Sequence, residues 1–203
     1  AVEFAEKASK LCTVSIAHTD CTYEEACAVF DAGASHLTHL YNAMPGIHHR
    51  KPGPIGAGSE RENVVAELIC DGQHVHPSAV RMAFKLFPGR VCLISDALRC
   101  CGMPDGQYTL GGLDVKVVGK LATLVSDGAI AGSATNLADC MRTVVQKMDL
   151  PLETAVACAT INPARSLKID KDYGSLEKGK KANVVLLGKD LELKCVIKDG
   201  KRI

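Results

Sequence analysis

The chain has 203 residues, and its 24 Lys+Arg against 23 Asp+Glu give a formal net charge of +1; 47% of residues are hydrophobic and 23% charged. That composition is ordinary for one domain, or one and a fraction, able to bury a core, and it excludes a disordered tail. The balanced charge, with no long basic stretch, argues against a nucleic-acid partner. No apolar run approaches the roughly 20 residues of a membrane helix, and no signal-peptide pattern opens the sequence, so no membrane partner is expected. Trp is absent and aromatics total 4%, which disfavours a module that stacks sugars on rings.

Ten cysteines could suggest a disulfide scaffold, but a chain this long does not need staples. Cys12, Cys70, Cys92, Cys140 and Cys158 sit inside apolar runs, where cysteine behaves as a small hydrophobe. No C-x-x-C pair occurs, and Cys100 and Cys101 are adjacent, so zinc-ribbon and redox spacings fail. The expected compartment is a reducing cytoplasm.

A helix over residues 2–11 is already under way at Ala1, and a strand over 12–17 leads to His18. Thr22 with Glu25 forms a capping box, and Tyr23, Ala26, Cys27 and Phe30 recur at helical spacing until Gly33. A short strand over 35–38 runs into His39 and then a Gly/Pro-rich loop over 45–58. The apolar run 64–70 leads to Asp71-Gly72 and His74, and Pro77 opens a helix whose Val80, Ala83, Phe84 and Phe87 share a face. A strand over 91–95 ends at Asp96, and Gly-punctuated runs over 97–131 read as a hairpin-bearing insertion.

Leu137, Cys140, Met141, Val144, Val145 and Met148 mark an amphipathic helix, followed by another over 151–159. Asn162-Pro163 offers a cap and first position for a third. After Lys168 the texture changes: residues 174–181 are turn-rich, and 182–187 and 193–198 read as strands with no helix between. The expected division is 1–168 and 169–203.

Alternating strands and helices favour an α/β fold with parallel βαβ units. His18, His39, His74 and Asp96 each lie at, or a few residues beyond, the C-terminal end of a strand-like run. In a (β/α) barrel those ends converge on one face, where imidazoles and a carboxylate could bind and use a metal. A lone histidine ordinarily caps or solvates a strand end, but four ligand-type residues in equivalent places favour a site. A full barrel of roughly 250 residues does not fit in 168, so about half a barrel is expected.

The texts AHTDCTYEEA, THLYNAMPGIHHRKPG, DGQHVHP, LISDA, IAGSATNLADC, NPARSL and GSLEKGKKANVVLL run in order through practically the whole chain. In them the sequence resembles the N-acetylglucosamine-6-phosphate deacetylases of the amidohydrolase superfamily. The resemblance implies the C-terminal part of a metal-dependent-hydrolase (β/α) TIM-like barrel in 1–168, and a β segment of the accessory sandwich domain in 169–203. It makes His18 and His39 ligands of a divalent metal, zinc first, with iron or another divalent ion as alternatives. A third ligand, a Glu, would lie in the family's N-terminal half, which has no counterpart here.

The same resemblance makes Asp96 the catalytic carboxylate, and Asn42, Ala43, Arg50, His74, Ile130, Ala131 and Gly132 the substrate-contacting positions. The implied substrate is a phosphorylated amino sugar, for which the planar fork of Arg50 suits the phosphate. His48 and His49 read as loop histidines, His76 as a near-copy of His74, and Ser133 and Thr135 as capping residues. The resemblance also implies a homodimer. Two other readings stand beside it: an amidohydrolase acting on a cyclic amide or nucleobase, and a non-catalytic piece that needs its other half.

Overall fold

The computed structural model describes all 203 residues. Four strands, β1 (Ser15–Ile16), β2 (His36–Leu37), β3 (Val65–Ile69) and β4 (Val91–Ile94), form a parallel sheet in chain order. Its register pairs Ile16 with Leu37, Leu37 with Ala66, and Ile69 with Ile94. Helices α1 (Val2–Ala8), α2 (Tyr23–Asp31), α3 (Gly53–Ser59) and α4 (Pro77–Leu86) alternate with these strands. This is the parallel βαβ run expected from the alternation.

Capping chemistry sets the entry to α2. Thr22 Oγ1 accepts from the Glu25 amide at 3.2 Å while Glu25 Oε2 accepts from the Thr22 amide at 2.8 Å. The helix stops where Gly33 takes φ +108°, and a Cβ there would stand 2.4 Å from Ser9 Oγ. Only glycine fits that turn.

The stretch 45–58, expected as loop throughout, instead contains the start of α3. Its Gly-Pro-Ile-Gly-Ala-Gly sequence lacks helix propensity, but Ile55 and Ala57 are fully buried, and a Cβ on Gly58 would lie 2.7 Å from Leu37 Cδ1. The glycines permit close approach of the helix to the sheet, and packing overrides propensity.

The insertion is a meander of β5 (Gly106–Leu110), β6 (Leu113–Val118), β7 (Leu121–Leu124) and β8 (Ile130–Ser133), each antiparallel to the next. Strand β8 has a second role. A parallel bridge pairs Ser133 with Ala97, just beyond β4, so β8 extends the parallel series by one strand. Helices α5 (Leu137–Met148), α6 (Leu152–Ala159) and α7 (Ile161–Ser166) follow. Asn136 caps α5 by accepting from the Asp139 amide at 2.9 Å.

Helix α7 begins one residue before Asn162, with Thr160 at the N-cap position, so Asn162 is not its cap. The Asn162 amide instead donates to the Val91 carbonyl at 2.9 Å, tying α7 to β4. A buried strand carbonyl needs a partner, and that need placed the asparagine. Ser133 and Thr135 are likewise not helix caps; both are fully buried and bonded to each other.

One contiguous core of 26 residues joins the sheet to its helices, with Leu37, Leu40, Leu68, Phe87 and Met148 among the fully buried side chains. Burial of each such side chain contributes roughly 1.5–3 kcal/mol. Cys70, Cys92, Cys140 and Cys158 are buried thiols, as expected, whereas Cys12 is exposed, because its run ends in a surface turn before β1.

The last segment folds as β9 (Val184–Leu187), β10 (Leu193–Lys198) and β11 (Lys201–Arg202), a separate antiparallel sheet. Strand β11 carries two charged residues and no alternation, so pattern reading missed it. Leu187 packs on the main core and Gln146 Nε2 donates to the Asp190 carbonyl, which anchor this sheet to the rest.

Candidate active site

Each parallel strand is followed two residues later by a polar group, although Leu37 pairs with Ala66, so β3 and β4 run three residues further along the sheet than β1 and β2. His18 follows Ile16, His39 follows Leu37, Asp71 follows Ile69, and Asp96 follows Ile94. Three of these share another property: His18, His39 and Asp96 have left-handed backbones, with φ of 43°, 36° and 49°. Ala43 joins them at 50°. Such conformations cost non-glycine residues on the order of 1–3 kcal/mol each and concentrate where function requires them. Here they turn the chain sharply at the sheet's C-terminal edge.

The His18 and His39 rings meet edge to face with centroids 4.7 Å apart. His39 is buried, and its Nδ1 has no hydrogen-bond partner. An unpaired buried ring nitrogen is costly unless something outside the chain completes it. Two adjacent imidazoles, one with an orphaned nitrogen, fit two ligands of a divalent ion. No cluster of three His, Cys, Asp or Glu side chains supplies a complete set within these 203 residues.

The backbone knits the edge together. The Thr19 amide donates to the Ala43 carbonyl at 2.9 Å, joining the His18 turn to the loop after β2. In that loop the Asn42 amide donates to the carbonyls of His39, at 3.1 Å, and Leu40, at 3.3 Å. Its side chain thus shapes the loop. The Ser133 amide donates to the Asp96 carbonyl at 2.9 Å, and the Leu98 amide to the Ser133 carbonyl at 2.8 Å. Ile130, Ala131 and Gly132 are therefore carried beside Asp96 on β8. Asp96 itself is exposed and borders a cavity of about 520 Å³ whose other walls include Arg99, Tyr108 and Gly111.

His74 is brought to the same edge through Asp71, a residue the sequence reading passed over. Asp71 Oδ2 accepts from His74 Nδ1 at 2.8 Å and from Ser133 Oγ at 3.2 Å. Burial pushes the Asp71 carboxyl up, but the bonds from His74 Nδ1 and from the Gln73 and His74 amides outweigh it and hold the carboxyl at about 2. The spacing of two residues after the strand would have found it. His76 is set apart: its Nδ1 accepts from the Ser78 amide at the start of α4. Arg50 stands exposed on its loop with Nη1 2.6 Å from His49 Nε2.

A second polar cluster lies at the opposite end of the strands. Buried His36, in β2, contacts Glu67 Oε1 with Nδ1 at 2.7 Å and Ser166 Oγ with Nε2 at 2.6 Å. A slightly larger cavity, about 540 Å³, opens there between Thr13, Ser35, Val65 and Arg165. The Ser-His-Glu order resembles a nucleophile relay, but Ser166 closes the last turn of α7, and the following amides, Leu167 and Lys168, donate to Pro163 and Arg165. Those two amides cannot form an oxyanion hole. The cluster joins α7 to the sheet.

Comparison with known proteins agrees with the residue pattern. The Amidohydrolase family profile matches residues 1–203. The chain is 41% identical over 180 residues to the N-acetylglucosamine-6-phosphate deacetylase of Vibrio furnissii, covering 89% of this chain and 45% of that protein. It is 39% identical over 188 residues to the N-acetylgalactosamine-6-phosphate deacetylase of Escherichia coli O157:H7, covering 93% and 50% respectively. Among solved structures, a mutant N-acetyl-D-glucosamine-6-phosphate deacetylase from Mycobacterium smegmatis, in complex with N-acetyl-D-glucosamine-6-phosphate, matches with a TM-score of 0.94 and 36% identity. That match covers all of this chain and 54% of the other. The chain thus spans about half the length of these relatives. From the whole-chain profile match, and from fold and sequence together, the chain belongs to the amidohydrolase family.

Proposed function

We propose that the chain provides the catalytic edge of a deacetylase that hydrolyses the acetamide of N-acetylglucosamine 6-phosphate to glucosamine 6-phosphate and acetate. The observation that carries this reading is the paired His18 and His39 rings, with an orphaned His39 nitrogen, on the sheet edge that also bears Asp96. Family membership implies a divalent metal; zinc, with two imidazoles and a carboxylate from outside these residues, is the first choice. Iron and other divalent ions accept the same donors.

When bound, the ion supplies Lewis-acid polarisation and hydroxide at neutral pH. His18 and His39 hold it, their positions set by the two turns. Asp96 takes the proton released as water attacks and returns it to the departing sugar amine, which is otherwise a poor leaving group. The Asp96 backbone is braced by Ser133, so the carboxylate leaves from a fixed base. Asn42 shapes the loop that presents Ala43, and Ala43, His74 and the β8 backbone at Ile130, Ala131 and Gly132 line the sugar. Arg50, exposed and permanently charged, takes the phosphate, at this subunit's own mouth or across a homodimer. The site belongs to residues 1–168, with 169–203 completing a separate sandwich. Ten unpaired cysteines suit a reducing cytoplasm.

The named relatives divide between the glucosamine and galactosamine sugars, which favours the 4-epimer as a second substrate. The test measures bound metal and acetate release from both sugar phosphates, with the chain alone and with a supplied N-terminal half. Metal uptake and turnover only in the completed protein are expected. Absence of both in a folded, completed protein overturns the reading. Arg50→Ala should weaken phosphorylated sugars far more than unphosphorylated ones; an equal loss removes the sugar-phosphate assignment and favours another amidohydrolase substrate.

A further inference from the structure

We propose that Asp71 is a positioning residue that locks His74 into the Nδ1–H tautomer, leaving Nε2 as a lone-pair acceptor for a hydroxyl or amide hydrogen of the substrate. Its importance for catalysis rests on the deacetylase reading, but the lock itself does not.

The four bonds to Asp71 divide cleanly between its two oxygens. Oδ1 accepts from the Gln73 amide at 2.9 Å and the His74 amide at 3.0 Å, which folds the turn around Gly72. Oδ2 accepts from His74 Nδ1 at 2.8 Å and Ser133 Oγ at 3.2 Å. One oxygen therefore builds the loop, and the other orients side chains. The Asp71 side chain is fully buried and that of His74 nearly so, at 0% and 7% exposed, so water does not compete for the bond. A carboxylate only accepts, so the proton of a neutral His74 must reside on Nδ1.

Ser133 extends the arrangement. Its hydroxyl donates to Asp71, its amide donates to the Asp96 carbonyl, and its carbonyl accepts from Leu98. One buried carboxylate thereby joins the substrate-contacting histidine to the strand that braces Asp96. Outer partners that orient a metal-ligating imidazole are commonly worth about 10–100-fold in metal affinity or activity, and the same scale is expected for one that orients a substrate-contacting imidazole.

The division of labour offers a clean substitution. In Asp71→Asn the side-chain carbonyl can keep both backbone bonds, while the NH₂ group stands where Oδ2 was. That group can only donate, so His74 Nδ1 must become the acceptor and the ring proton must move to Nε2.

The experiment is two-bond ¹H–¹⁵N correlation of the histidine rings in the 203-residue chain at pH 8, with His74 assigned by His74→Gln. In the unaltered chain His74 should show the Nδ1–H pattern, and Nε2–H or rapid averaging overturns the proposal without any variant at residue 71. In Asp71→Asn the pattern should switch to Nε2–H with the remaining amide spectrum preserved; an unchanged Nδ1–H pattern overturns it. In the completed enzyme Asp71→Asn should lower kcat/KM about 10–100-fold at unchanged metal content. An unaltered rate overturns the positioning role. If the unaltered enzyme is itself inactive on the sugar phosphates, the deacetylase reading fails, and the ring spectra still decide the lock.

Discussion

The backbone carbonyl of Asp96 accepts from the amide of Ser133 at 2.9 Å, so the main chain that carries the candidate catalytic carboxylate is tied to the last residue of β8. Gly132 sits between this bond and the meander, with φ +92°; a Cβ there would lie 2.9 Å from Leu98 Cδ2 and 3.3 Å from the Asp96 carbonyl oxygen. Gly132→Ala combines left-handed strain with a contact against backbone. It should lower stability by about 1–3 kcal/mol, read by denaturant unfolding. It should also displace the Asp96 turn, so activity of the completed enzyme should fall well beyond what the stability loss accounts for.

Acid sensitivity follows from Asp71. Its carboxyl is held at about 2 in the folded chain, against roughly 3.9 when unfolded. A depressed carboxyl stabilises above its unfolded value, and that contribution, roughly 2 kcal/mol, is lost as pH falls from about 4 to about 2. Unfolding free energies of the unaltered chain and Asp71→Asn should differ by a constant amount above pH 5. The gap should close toward pH 2; a gap that persists there contradicts the assignment.

The cysteines should separate by burial. Desolvation pushes the Cys92 thiol up to about 12 and that of Cys158 to about 11, and it raises Cys70 and Cys140 as well. These four have almost no thiolate at neutral pH and no access to reagent. Exposed Cys12 should react with a thiol reagent in the folded chain, while those four become available only after denaturation. Mass mapping of the modified sites reads this directly.

The His36 cluster should behave as a brace. His36→Ala leaves Glu67 and Ser166 without their partner and opens a cavity, so a loss of about 2–4 kcal/mol is expected. Ser166→Ala removes one hydroxyl bond and should cost about 1 kcal/mol. A fluorophosphonate probe should leave Ser166 unmodified. Stoichiometric labelling there would mean that the cluster is a working nucleophile after all.

The candidate site was legible wherever a polar residue interrupts a strand's apolar run. His18, His39 and Asp96 stand at such interruptions, and the shared parallel direction of the strands puts their C-terminal ends on one edge. Asp71 obeys the same rule, although the sequence pattern singles out His74, three residues further on, as the polar group of that strand end. The two residues act together, since the carboxylate that accepts from the Gln73 and His74 amides also grips the His74 ring. The contact between His36 and Ser166 joins residues 130 positions apart, and no local pattern reports it.

Local periodicity, capping residues and strand-end punctuation determined the α/β order, the Thr22 and Pro77 helix starts, and the edge on which the chemistry gathers, because those features depend on a few neighbouring residues. Tertiary structure alone decided that a glycine-rich segment becomes α3, that β8 joins two sheets at Ser133, and that one buried oxygen of Asp71 faces His74. Each of these depends on close approach or on satisfying a buried polar group, and only the assembled packing supplies the partner.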